Sequence, residues 1–167
     1  MNKLNIVLDV DDVVLDWHTS FAKKFKLEIP KNWVPYNVMK PYLDKLTPDR
    51  LFWVTLPKKH SPDFLPKAYV SARGVPVNWT RQAMKLRNIP GRSKIYHVSW
   101  GHSKIEILKN LNCDVFIDDK FETFEECHKN GIFCLLMDTP QNQHHRTKLR
   151  VHSLKYKEIY SLWQKYR

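Results

Sequence analysis

Two groups of carboxylates stand where apolar runs end. Ile6, Val7 and Leu8 lead into Asp9-Val10-Asp11-Asp12, with Asp16 close behind, and Val115, Phe116 and Ile117 lead into Asp118-Asp119. Acids set against a buried strand repel one another and lose hydration, so the cost needs an offset. A bound cation supplies one. Solvent supplies another, if the strand simply ends at the surface. For Asp12 and Asp16, past the strand end, solvation or helix capping suffices.

A third apolar run ends in Ser71-Ala72-Arg73, and Lys104 lies just inside the helical segment before Val115. Together these residue types can run phosphoryl transfer. A carboxylate can attack phosphorus and split one hard step into two easier ones. Mg²⁺ prefers oxygen ligands and would screen the repulsion between that carboxylate and a phosphate. A carboxyl two residues on can protonate the leaving oxygen and then activate water. A hydroxyl and an ammonium can hold the remaining phosphate oxygens.

The elements that must position this set are legible as apolar runs rich in Val, Ile and Phe. Strands are predicted around Leu4–Asp9, Ala68–Ser71, Ile95–Val98, Val115–Asp118 and Ile132–Met137. They lack clean alternation, which suits strands covered on both faces. Helical spacing falls between them, over Trp79–Leu86, Ser103–Leu111 and Phe121–Lys129, the last closed by Asn130-Gly131. Strands alternating with helices imply an α/β fold with a doubly wound parallel sheet. In such a sheet ligands bind outside the carboxyl ends of the strands, where the acids, Ser71 and Lys104 converge.

The stretch from about 21 to 66 breaks the rhythm. Prolines 30, 35, 41, 48, 57, 62 and 66 alternate there with Trp33, Tyr36, Tyr42, Phe52 and Trp53. It is too long for a simple connection and reads as a small helical cap insert within one domain spanning 1–167. A last helix carries Ile159, Leu162, Trp163 and Tyr166 on one face.

Bulk properties set the company the chain keeps. The 167 residues include 43% hydrophobic types, enough for one core. The formal net charge of +11 favours anionic partners, whether phosphorylated small molecules or nucleic acid. From Gln141 to Arg167, seven Lys and Arg residues face Glu158 alone. No apolar stretch reaches membrane-spanning length, and the start "MNKLNIVLDV" turns acidic too soon for a signal peptide. Three cysteines without a CxxC pair read as reduced thiols in a cytoplasmic protein.

"DVDDV" after an apolar strand resembles the first motif of the haloacid dehalogenase superfamily, whose phosphatases carry DxDx[VT]. "YVSAR" resembles the second motif, Lys104 in "GHSKIEIL" the third and "VFIDD" the fourth, in order over roughly residues 4 to 137. Within it, "DVDDVVLDW" is most similar to the 5'(3')-deoxyribonucleotidase-like group. That group often has Gly where this chain has Asp12, and an aromatic where it has Trp17.

The resemblance implies a role for each matching position. Asp9 is the nucleophile and a Mg²⁺ ligand. Asp11 is the general acid/base and gives the metal its backbone carbonyl. Ser71 and Lys104 hold the phosphate; Arg73, which follows the second motif, is placed either to join them or to form a surface salt bridge. Asp118 ligates the metal, with Asp119 ligating through water or orienting its neighbours. Trp17 is expected on the base of a nucleotide; Phe52 and Trp53 are either candidates beside it or, the favoured alternative, the core of the insert. The function implied is hydrolysis of (deoxy)nucleoside monophosphates through an aspartyl-phosphate. Two alternatives use the basic surface: a 3'-phosphatase acting on nucleic-acid ends, and a non-catalytic nucleic-acid-binding module.

Overall fold

The computed structural model describes residues 4–167, so the first three residues of "MNKLNIVLDV" lie outside the described residues. Six strands form one parallel sheet: β1 (Ile6–Leu8), β2 (Ala68–Ala72), β3 (Lys94–Val98), β4 (Val115–Asp118), β5 (Cys134–Met137) and β6 (Arg150–Val151). Their spatial order is β3-β2-β1-β4-β5-β6. This is the doubly wound α/β, Rossmann-like order, and the chain reverses its winding direction between β1 and β4. At that reversal the connections leave in opposite directions and a crevice opens at the strand ends.

Side-chain alternation builds the core in two layers. Val7, Val70, Phe116 and Leu136 point to one face and pack against helices α5 (Ile105–Asn110) and α6 (Phe121–Lys129). Ile6, Leu8, Tyr69, Ile117 and Leu135 point to the other face. There they meet Phe21 of α1 (Trp17–Phe25), Ala83 and Met84 of α4 (Val77–Leu86) and Ile159 of α7 (Tyr156–Tyr166). The strands are buried on both sides, which is why their sequences read as continuous apolar runs.

Between β1 and β2 lie α1, α2 (Tyr36–Leu46) and α3 (Arg50–Thr55), so the helical insertion begins at Trp17, earlier than the prolines suggest. Pro35 and Pro76 stand directly before α2 and α4, where a fixed φ and a missing N–H cost little. Pro41 sits inside α2 and does not end it. Gly131 takes φ +73° just after Asn130 and closes α6. β6, with two residues, carries no periodic signal and was not expected from the sequence. Cys113, Cys127 and Cys134 are free thiols. Among the described residues no helix is long and apolar enough to cross a membrane.

Candidate active site

β1 and β4 pair in register from Ile6↔Val115 to Leu8↔Ile117, and the Asp9 N–H continues the ladder to the Ile117 carbonyl at 2.9 Å. Asp9 and Asp118 therefore emerge side by side at the crevice. A cavity of about 430 Å³ opens over them, bordered by Asp9, Asp11, Ser71, Lys104, Asp118 and Asp119. The four motif segments thus meet at one place, although the sequence spreads them over more than a hundred positions.

Lys104 Nζ bridges the two strand-end acids, 2.9 Å from Asp9 Oδ1 and 2.7 Å from Asp118 Oδ2. Burial works to lower its pKa, but Asp118 and Asp9 outweigh it and hold the ammonium above its ordinary range. Burial, reinforced by Asp118 and Asp11, pushes Asp9 up to about 7 despite the pull of Lys104. Asp118 Oδ1 accepts the Lys120 N–H at 2.8 Å, so both of its oxygens are engaged.

Asp119 is different. It is 1% exposed, and neither carboxylate oxygen has a hydrogen-bond partner. Burial, then the charges of Asp12, Asp118 and Asp9, push its pKa well above the carboxylate range. Oxygen atoms of Asp9, Asp118 and Asp119 lie within 4.8 Å of one another. Three converging carboxylates, of which Asp119 has both buried oxygens unpartnered, fit a small, hard dication, and an all-oxygen donor set suits Mg²⁺. Ser71 Oγ is likewise buried without a partner at the cavity wall.

Asp11 borders the cavity, but its side chain does not join the three acids. Arg73 Nε donates to Asp11 Oδ2 at 2.9 Å, and Arg73 Nη2 donates to Asp11 Oδ1. Arg73 Nη1 donates to Thr80 Oγ1 at 2.8 Å, and Thr80 in turn meets His97 Nε2 at 3.1 Å. The guanidinium lies 5.1 Å over the Trp53 ring. Arg73 is therefore spent on Asp11 and Thr80, and it does not line the cavity where a phosphate contact would need it.

Phe52 and Trp53 take the core alternative and not the substrate one. Trp53 is fully buried, and its Nε1 donates to the Leu46 carbonyl at 2.8 Å. Phe52 packs edge-on against it, 5.4 Å between centroids. Both form the core under α3 and neither borders the cavity. Trp17 does border it, stacked on Phe21 at 4.8 Å. Two further tryptophans complete the apolar wall: Trp33, whose ring Lys120 Nζ approaches at 5.7 Å, and Trp100. Both stand in irregular segments, so periodicity could not assign them. Gly74 makes room for Trp100, because a Cβ there would come within 2.7 Å of the indole Nε1.

Asp12 takes the second of its two expected roles, helix capping, and is not solvated. It is 0% exposed. Its carboxylate accepts the His18 N–H, contacts His18 Nδ1 and accepts Lys59 Nζ at 2.9 Å. Burial alone would raise its pKa, but the His18 hydrogen bond and charge, with Lys59, hold it below the ordinary value. The carboxylate caps α1 from six residues upstream. Its φ of +58° explains why the resembled pattern favours Gly at this position. Asp16 stands at the N-cap of α1 without a side-chain capping bond.

No family model matches the sequence, and no curated protein matches it. Among solved structures, the crystal structure of a defluorinating L-2-haloacid dehalogenase is similar, with a TM-score of 0.51 and 14% identity. The match covers 98% of this chain and 95% of that one. At that identity the likeness speaks for the architecture: the chain has the fold of a haloacid dehalogenase over essentially its whole length.

Proposed function

We propose that the chain is a Mg²⁺-dependent phosphomonoesterase of nucleotides, with (deoxy)nucleoside monophosphates as its smallest substrates. The observation that carries this reading is the set of unpartnered buried oxygens on Asp119 and Ser71 around one cavity, beside the acids Asp9 and Asp118 that Lys104 bridges. Such groups are costly unless a ligand or ion completes them. A dication held by Asp9, Asp118 and Asp119 would neutralise charge on the phosphate and keep Asp9 ionised.

The chain's own groups supply the rest. Asp9 attacks phosphorus, and the bond to the leaving oxygen breaks as an aspartyl-phosphate forms. To act as the acid, Asp11 must give up one of its two Arg73 hydrogen bonds and enter the cycle protonated; it then gives the leaving oxygen that proton and recovers one from the attacking water. Arg73 fixes the orientation of Asp11, and each carboxylate oxygen keeps a second lone pair for the cavity side. Water attack at phosphorus releases inorganic phosphate and regenerates Asp9. Ser71 donates to a phosphate oxygen, and Lys104 holds positive charge beside both acids. The "DVDDVVLDW" resemblance and the tryptophan wall support a nucleotide as the esterified group.

The test is phosphate release from deoxynucleoside 5'- and 3'-monophosphates with Mg²⁺, with chelator and Asp9→Asn as controls. The expected result is turnover that both controls abolish, and a 10²–10⁴-fold loss in Asp11→Asn, the usual worth of a general acid/base, ~3–5 kcal/mol of barrier. The solved neighbour's activity defines the competing result. Chelator-insensitive halide release from a 2-haloacid, with no phosphate release, would overturn the proposal.

A further inference from the structure

The catalytic cavity carries the opposite charge to the chain as a whole. The formal net charge is +11, yet six carboxylates and only two lysines border the cavity. The inner acids have their offsets. Lys104 bridges Asp9 and Asp118, Arg73 forks onto Asp11, and Asp119 belongs to the set that fits a dication. Glu122 and Glu126 have none. Neither carboxylate has a hydrogen-bond or ion-pair partner among the described residues; Asn130 Nδ2 reaches Glu126, but at its backbone carbonyl. The second lysine, Lys120, places its Nζ over the Trp33 ring at 5.7 Å.

Both glutamates stand on α6, four residues apart and therefore on one face, and Thr123 between them borders the cavity as well. Glu122 follows Asp119 by three residues, which keeps their Cα atoms within about 11 Å of each other. Glu126 lies one helical turn further, about 6 Å along the axis. The outer part of the cavity thus keeps two uncompensated negative charges near the acid centre. Its remaining walls include Trp17, Trp33, Met39, Leu43 and Trp100, which suit a ring and give an anion no partner. A phosphate at Ser71 and Lys104 is compensated there. A second anionic group on the same molecule meets repulsion: at about 8 Å in water each like-charge pair weakens binding two- to threefold, and more where solvent is excluded.

We infer that Glu122 and Glu126 are specificity determinants that confine the enzyme to substrates with one phosphate and an otherwise uncharged leaving group, so that mononucleotides are accepted and strand ends refused. This rests on the phosphomonoesterase reading and narrows its substrate class. Selection of this kind works by repelling the wrong substrate, not by gripping the right one.

The experiment compares thymidine 5'- and 3'-monophosphates with dithymidines phosphorylated at the same ends. The dithymidines come in two forms that differ only at the internal linkage, an anionic phosphodiester or a neutral methylphosphonate. Their shapes are nearly the same, so a difference between them reads charge. For wild type at low salt, kcat/KM for the phosphodiester is expected at least fivefold below that for the methylphosphonate. The gap should shrink as salt rises to about 0.15 M. In the double variant Glu122→Gln, Glu126→Gln it should close to within twofold, whereas Glu122→Asp, Glu126→Asp, which keeps the charges, should retain it. Equal kcat/KM for the two linkages in wild type, a preference for the anionic one, or a gap that survives the double glutamine variant would overturn the inference while leaving mononucleotide hydrolysis standing. Absence of phosphate release from every substrate would overturn the parent reading and this one with it.

Discussion

Arg73 grips Asp11 with two guanidinium nitrogens, one on each carboxylate oxygen, from the far side of the cavity wall. The pair joins the end of β2 to the loop after β1, and Trp53 of the insertion floors it. Removing one partner of a buried pair strands the other charge. Arg73→Ala is therefore expected to lower stability by about 3–5 kcal/mol in chemical denaturation. Arg73→Lys keeps the charge but not the fork, and should retain more stability than activity. In the double variant with Asp11→Asn the cost should be well below the sum of the single effects.

His97 extends the same network. Its Nδ1–H donates to the Val75 carbonyl at 2.7 Å, and its Nε2 accepts from Thr80. Burial lowers its pKa more than the Val75 carbonyl raises it, and Arg73 adds to the lowering. The native state thus binds this proton less readily than the unfolded chain. Stability is full above about 6.5, the unfolded value, and falls as pH drops below it. Asp9 and Asp119, raised by burial, act in the opposite sense in the same window, so the readout is the difference: the urea midpoint of wild type relative to His97→Gln should decline between pH 7.5 and 5.5.

Asp12 holds His18 and Lys59 together without exposure. Asp12→Ala both strands the Lys59 charge and forces an unfavourable positive φ on Ala. Asp12→Gly removes only the second penalty, and Asn tolerates the same φ. Thermal unfolding should rank the variants Ala below Gly and Asn, with all three below wild type.

Asp119 gives the metal reading a readout independent of turnover. Binding to the native state alone raises stability by about 2.7 kcal/mol at a hundredfold excess over Kd. Mg²⁺ should therefore raise the Tm of wild type. Asp119→Asn relieves repulsion with Asp9, Asp12 and Asp118. It should start from a higher Tm without Mg²⁺ and gain little from adding it.

The sheet and the acids at its edge were legible because both leave local marks: an apolar run, then a charge. Position in the motif located Asp9, Ser71, Lys104 and Asp118 for the same reason. Arg73 stayed open between a phosphate contact and an ion pair, because nothing local says that its guanidinium turns back to Asp11. Phe52 and Trp53 stayed open between core and substrate, because an aromatic looks alike in a core and in a pocket. Trp33 and Trp100 were missed because irregular segments have no period. For Asp12 the sequence could not choose between solvent and a helix cap, since its burial depends on Lys59, which arrives from the far part of the insertion.

The pairing of β1 with β4 joins segments separated by 109 positions, as the contact from Asn5 to Asp114 shows. Closing so long a loop is slow relative to forming local helices. During synthesis Asp9 leaves the ribosome early, but Lys104, Asp118 and Asp119 follow only after most of the chain has emerged. The acidic centre cannot assemble on a partial chain. Whatever this cavity binds therefore binds only once the central strand pair has closed.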